Sequence, residues 1–325
     1  MIIDIFCHYM SRSTCDMVEK GRRHQGDKAL PAVKERKIPY PIDNEGAELR
    51  LRHMDKYGID IQALSQTSEV LHGFNAEEAA EICRRSNDDN FALCRAYPEK
   101  FVNICIVSLL DTKSAVDELD RAIQELDCRG VVVASNQNGK GLDSEEYFQF
   151  YEKLVEHDLP LLIHPVHWRS YPLVEEDGGS RIMSVFGWPF DTTQAVWRMI
   201  FGGVLDRFPS MKIVMHHMGA MFPFFVGRIE TAYNRLKEKL PRPLPEYWNS
   251  IYGDTALSGG IAAFPCGYAF FGPERLVYGS DYPFGPEGGE RFIRENLNGV
   301  RQLNIPAPDM QKILWDNARR LLKID

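Results

Sequence analysis

Eight short apolar runs, none of which alternates strictly with polar residues, constrain this chain more than any other feature. They are residues 2–6, 61–64, 101–107, 130–134, 160–164, 212–216, 251–255 and 275–279, as a set rich in Val and Ile. A strand with one wet face alternates apolar and polar side chains, whereas a strand covered on both faces need not. The runs therefore read as strands of a parallel sheet buried on both sides. Between them lie segments with apolar spacing of about 3.6 residues, the period of an amphipathic helix. These are 76–97 (following Asn75 as N-cap), 112–126, 144–157, 192–208, 222–240, 290–303 and 308–322. Strands and helices in alternation predict an α/β chain, a (β/α)8 TIM barrel in one domain spanning 1–325. An open doubly wound sheet is the alternative. That fold carries a glycine-rich phosphate turn after its first strand, and here the first run is followed by Cys7-His8-Tyr9-Met10.

Two connections exceed ordinary loop lengths, residues 9–45 after the first strand and 165–191 after the fifth. Both leave the face where barrel active sites lie and are expected to form lids and substrate walls. Trp168 and Trp188 in the second are candidates to stack on a planar substrate. A chain of 325 residues with 44% apolar and 26% charged residues can bury a large core. No run approaches the ~20 apolar residues of a membrane span. The formal charge of −8 argues against a nucleic-acid partner. The N-terminal Met1-Ile2-Ile3-Asp4 lacks the basic flank and apolar core of a signal peptide. The seven cysteines form no Cys-x-x-Cys and read as reduced thiols. Together these imply a cytoplasmic protein.

Four runs end in a metal-type ligand: Asp4-Ile5-Phe6-Cys7-His8, Leu162-Ile163-His164, Met215-His216-His217 and Gly279-Ser280-Asp281. Each residue alone has a bland explanation; Asp281, for instance, could cap a helix. Four on one face of a barrel point to a cation site. Imidazole and carboxylate suit Zn²⁺, Mn²⁺ or Fe²⁺, and two histidines with one carboxylate leave open positions for water and substrate. His216 and His217 are adjacent, so in a strand they point to opposite sides and only one faces the site.

The order and spacing of further motifs resemble the amidohydrolase superfamily, in the branch of aminocarboxymuconate-semialdehyde decarboxylase and related aromatic-acid decarboxylases. The motifs include Arg52-His53-Met54-Asp55, His164-Pro165, Gly187-Trp188-Pro189, His217-Met218-Gly219, Phe222-Pro223-Phe224, Gly227-Arg228-Ile229 and Gly279-Ser280-Asp281-Tyr282-Pro283. The resemblance runs nearly end to end. It implies one divalent metal, zinc above manganese or iron, with His8, His164 and Asp281 as ligands. It implies His217 as the histidine beside the metal, able to act as base or to swing in as a ligand, with His216 a packed neighbour. The first histidine of the expected strand-1 pair falls on Phe6, which cannot bind metal. Cys7 should point away, and Asp4 should hydrogen-bond a ligand from below. Arg228 is implied to reach a neighbouring subunit's site and pair with a substrate carboxylate, which predicts a homodimer or higher oligomer. Arg36 or Lys37 corresponds to a second family arginine.

The reading that follows is a metal-dependent, non-oxidative decarboxylase of a small aromatic or enol-type carboxylic acid. His217 or Asp281 would handle the proton that replaces CO₂. Hydrolysis of a lactone or amide by metal-activated water uses the same residues. An oxygen-using non-haem metalloenzyme is a third reading. A non-catalytic partner subunit in a hetero-oligomer, suggested by Phe6, is a fourth.

Overall fold

The apolar runs form strands at the expected places. They are β1 (Ile3–His8), β2 (Ile61–Ser65), β3 (Phe101–Asn103, resumed at Cys105–Ile106), β4 (Val131–Ala134), β5 (Leu161–His164), β6 (Ile213–Met215), β7 (Ile251–Asp254) and β8 (Leu276–Val277). In this computed structural model, residues 1–25, 44–166, 183–236 and 240–324 are described. All neighbouring pairs from β1 to β8 run parallel. The first piece of β3 pairs with β2 and the second with β4. The ring closes between β8 and β1, where the Ile5 N–H donates to the Tyr278 carbonyl at 2.9 Å and the Asp281 N–H to the Phe6 carbonyl at 3.0 Å. Closure pairs the edges that an open sheet would leave bare. The chain is thus the α/β barrel that the runs predict.

Alternation along the strands sorts the side chains into two layers. Phe6, Ile104, Val132, Leu162, Val214 and Val277 share one buried cluster inside the ring. Cys7, Val131, Leu161, Ile213, Met215 and Leu276 belong to another, against the helices. Two residues beyond Phe6, Leu162 and Val214, on the same column, stand His8, His164 and His216. The register that fills the barrel with apolar groups therefore sets these imidazoles at its C-terminal mouth. Gly279 belongs to this geometry. A Cβ there would stand 3.0 Å from the Phe6 Cβ and 3.1 Å from the Asp254 Cβ, so a larger residue would force both aside.

The helices follow the expected order: α1 (Arg12–Gln25), α2 (Asn44–Tyr57), α3 (Ala76–Ala96), α4 (Thr112–Glu125), α5 (Phe148–Glu156), α6 (Trp188–Phe201), α7 (Phe222–Arg235), α8 (Ala263–Phe271) and α9 (Glu290–Arg301). Asn75 caps α3 in a reciprocal box with Glu78, as its position before the apolar stripe suggests. Some helices depart from the expectation. The expected helix 192–208 breaks at Gly202-Gly203, where Gly203 takes φ 78°, and resumes as Val204–Arg207. α1 and α2, in and just after the excursion 9–45, are not among the expected helices, and α8 is apolar around most of its circumference, so it shows no simple polar-apolar period. Among the described residues no helix is long and apolar enough to cross a membrane.

Candidate metal centre

β1 and β5 end on His8 and His164, and the residue after β6 is His216. All three are buried, with ring centroids 5.0 Å (His8–His164), 5.7 Å (His164–His216) and 6.0 Å (His8–His216) apart. One donor atom from each lies within 4.8 Å of the others; His216, His217 and Asp281 form a second such group. Asp281 Oδ1 stands 3.3 Å from His8 Nε2 and 3.4 Å from His216 Nε2.

The far side of each ring is tied down. His164 Nδ1 lies 2.8 Å from the Pro165 carbonyl, which can only accept, so the proton sits on Nδ1. His8 Nδ1 lies 3.2 Å from Ser65 Oγ, whose own proton goes to the Cys7 carbonyl at 2.9 Å, so Nδ1 again donates. His216 Nδ1 bonds to the buried Asp254 carboxylate. Each arrangement leaves Nε2 as the donor atom available to a cation. This is how metal-binding histidines are commonly oriented. The buried Nε2 atoms of His8 and His216 have no hydrogen-bond partner. Such groups are costly to leave unmatched, and a cation at the cluster would match them. The donor set fits a divalent metal.

The electrostatics agree. Burial pushes the His8 pKa down, and burial with the neighbouring His8 and His216 imidazoles pushes that of His164 far down. For His216 burial works the same way, but the Asp254 carboxylate outweighs it and lifts the pKa to about 9. Burial would raise the Asp281 carboxyl, yet the His216 and His8 imidazoles outweigh that and hold it well below the usual range. Both carboxylates favour positive charge at the centre of the cluster. His217 is pushed down to about 3 by burial and by neighbouring His216.

Several expectations need correction. His216 and His217 do not point to opposite sides. The β6 ladder stops at Met215, and His217 adopts φ 58°, ψ 54°, so strand alternation no longer applies. Their rings lie 3.8 Å apart on one side. His216 is therefore no mere packed neighbour, since its ring belongs to both donor groups. Asp4 does not bond a ligand histidine. It accepts from Gln62 and from the backbone and hydroxyl of Ser280, beside Asp281, and burial lifts its pKa to about 6. Cys7 does point away, its thiol donating to the Ala63 carbonyl. Phe6, fully buried, lies face to face with His216 at 3.9 Å and 11°.

A cavity of about 520 Å³ opens above the cluster, touching His164, His216, His217 and Asp281 and walled by Trp188, Leu257, Phe284 and Phe292. Its size suits a single-ring ligand. The Trp188 indole lies parallel to the His217 ring at 6.5 Å. Arg228 does not line this cavity; it is exposed on α7. Trp168 and Arg36 lie outside the described residues. Sequence reasoning missed Asp254, Ser65 and Ser68 as partners of the imidazole rings. Asp254 and Ser65 had only their position at strand ends as a signal, and Ser68, in the turn after β2, had none.

The amidohydrolase family profile matches residues 3–324. The chain belongs to the amidohydrolase family. It is 30% identical over 291 residues to Decarboxylase orsB of Emericella nidulans, with 85% of each chain covered. It is 29% identical over 286 residues to the 2-amino-3-carboxymuconate-6-semialdehyde decarboxylase of Dictyostelium discoideum, covering 86% of this chain and 77% of that one. The fold is similar to that of 5-carboxyvanillate decarboxylase from Novosphingobium aromaticivorans, solved with manganese and 4-hydroxy-3-methoxy-5-nitrobenzoic acid. The TM-score there is 0.86 at 23% identity, over 100% of this chain and 96% of that one. For an amidohydrolase, the barrel mouth is the expected place for chemistry, and there this chain gathers its buried histidines.

Proposed function

We propose that this amidohydrolase is a metal-dependent, non-oxidative decarboxylase of a small aromatic carboxylic acid. The observation that carries the reading is the meeting of two donor groups at His216, His8 with His164 on one side and His217 with Asp281 on the other, with Asp281 Oδ1 3.3 Å from His8 Nε2, beneath an aromatic-walled cavity. The named decarboxylases among its relatives support it. His8, His164 and Asp281 are assigned to hold one divalent cation, with zinc placed ahead of manganese and iron. When bound, that cation would stabilise negative charge on the substrate's oxygens.

The chain's own groups do the rest. Trp188 forms a flat wall parallel to His217, and an aromatic acid can lie along it. His217, neutral because its pKa is held at about 3, is fit to serve as a further donor or to pass a proton on. As the carbon–carboxyl bond breaks, CO₂ leaves, the bonding electrons stay on the ring carbon, and a proton taken from water and handed on by His217 or Asp281 fills the vacated position. We assign Arg228 to a neighbouring copy's site in a homodimer or larger assembly. Its exposure on α7, beside Phe224 and Phe225, exposed by 76% and 36%, supports that assignment. Trp168 and Arg36 stay proposed substrate contacts. A cytoplasmic setting fits seven free thiols, of which only Cys266 is not buried.

The test is CO₂ release from a panel of hydroxybenzoates by protein loaded with Zn²⁺ or Mn²⁺, with lactones and amides in parallel. Release that stops on chelation and returns with metal is the expected result. Ring opening of a lactone without CO₂ release would overturn the reading.

A further inference from the structure

The geometry points to His216 as a metal ligand, oriented by Asp254 and backed by Phe6, with His217 left free for the substrate side. This rests on the proposed metal-dependent reading and specifies its donor set. His216 is the one residue common to both donor groups, the His8–His164 group and the His217–Asp281 group. Its ring is only 1% exposed, and its Nε2 has no hydrogen-bond partner. Its Nδ1 is bound to Asp254, itself fully buried at the end of β7. Asp254 is in turn fixed by the Ala256 N–H, which donates to its Oδ1 at 2.9 Å. A carboxylate behind an imidazole makes the opposite nitrogen a stronger donor and fixes its tautomer.

Phe6 completes the mount. It stands one pleat below His8 and offers no donor, but its ring lies flat on His216 at 3.9 Å. Gly279 leaves the space between Phe6 and Asp254 open, so ring and carboxylate grip the imidazole from two directions. His217 lacks such a mount. Its Nδ1 is buried without a partner, and its ring faces Trp188 across the cavity wall. His8, His164, His216 and Asp281 thus make a set of three imidazoles and one carboxylate.

The test is metal content and affinity, read independently of turnover. Wild-type protein, His216→Ala, Asp254→Asn and His217→Ala are stripped, reloaded with Zn²⁺ and assayed by elemental analysis and competition with a chromophoric chelator. Circular dichroism and thermal melts check that each variant folds. X-ray absorption at the zinc edge counts imidazole ligands. The expected result is near-stoichiometric zinc with three imidazoles in wild type and in His217→Ala. Zinc should fall to background in His216→Ala, and affinity should drop ~10–100-fold in Asp254→Asn, the usual cost of losing a partner behind a ligand. If His216→Ala unfolds, Asp254→Asn and the wild-type ligand count decide. Zinc retained at wild-type affinity in His216→Ala or Asp254→Asn, or two imidazoles in wild type, overturns the assignment of His216. Failure of wild type to bind zinc or manganese would instead remove the metal-dependent reading beneath it.

Discussion

The ends of β5 and β6 carry the same residue type to the same place by different means. At β5 the ladder runs through His164, which continues the inward column above Leu162. No residue from 161 to 166 has positive φ. Its Nδ1 proton goes to a backbone carbonyl, a neutral partner. At β6 the ladder ends at Met215, and the chain turns through His217, Met218 and Ala220, all with φ between 54° and 58°. Two rings then face one side, and His216 is held by a charged partner rather than a neutral one. Adjacent residues can share a face only where the ladder has been abandoned. A backbone turn has thus added a donor that strand geometry would have sent outward.

The largest effect expected from this contrast is at the regular end. In His164→Ala, one of the donors carried by a rigid strand is lost and nothing at β5 can move in to replace it. Metal occupancy should fall to background, and turnover on whichever acid is decarboxylated should fall ~10²–10³-fold, the scale of removing a strong transition-state contact. A variant that keeps its metal would show that the β6 cluster with Asp281 suffices alone, reversing the roles assigned to the two ends.

Much of this was legible in the sequence, for reasons that particular residues make clear. The barrel followed from runs such as Val131–Ala134 and Leu161–His164, whose lack of alternation means burial on both faces. His8 and His164 were legible because a residue two places beyond an inward apolar one stays on the same column, whereas Asp281, past the end of β8 at φ 64°, was legible through the Gly279-Ser280-Asp281-Tyr282-Pro283 motif. The same rule places His216 above Val214; it was set aside because the resemblance assigned the site's histidine to His217, and no local pattern announces that His217 will take φ 58° and share that face. Asp254 was invisible because its importance lies in a contact 38 residues distant in sequence, with His216. The helix Ala263–Phe271 escaped because a segment apolar on most sides has no period to detect. Phe6 was singled out for what it cannot do, bind metal. What it does instead, stack on an imidazole from another strand, is a tertiary fact.

That stacking gives the next expected effect. Phe6 is fully buried between the apolar floor of the barrel and the histidine layer. Phe6→Ala should cost about 3–5 kcal/mol of stability from lost burial and the cavity left behind. It should also loosen His216 specifically, so metal affinity should fall while the His164 end is undisturbed. Denaturant melts and zinc titration of the same preparation separate the two. Stability lost without any change in zinc affinity would mean that Phe6 fills space and does not position the imidazole. Phe6→Leu, closer in volume but unable to stack as a ring, should recover most of the stability and little of the affinity.

The smallest expected effect probes the backbone turn itself. Ala220 sits at φ 54°, ψ −115°, outside the wells open to residues with a Cβ, whereas Met218 at φ 57°, ψ 35° lies in the left-handed well. Holding a residue with a Cβ in such a region costs of order 1–3 kcal/mol. Glycine would remove that cost but would enlarge the unfolded ensemble by roughly 0.5–1 kcal/mol. Ala220→Gly should therefore stabilise the protein by about 1 kcal/mol, a rise of roughly 1–2 °C in Tm for a chain this long. A fall in Tm would mean that the turn is unstrained. The shared face of His216 and His217 would then be held by side-chain contacts alone, and the contrast with β5 would rest on Asp254 and Phe6 rather than on the turn.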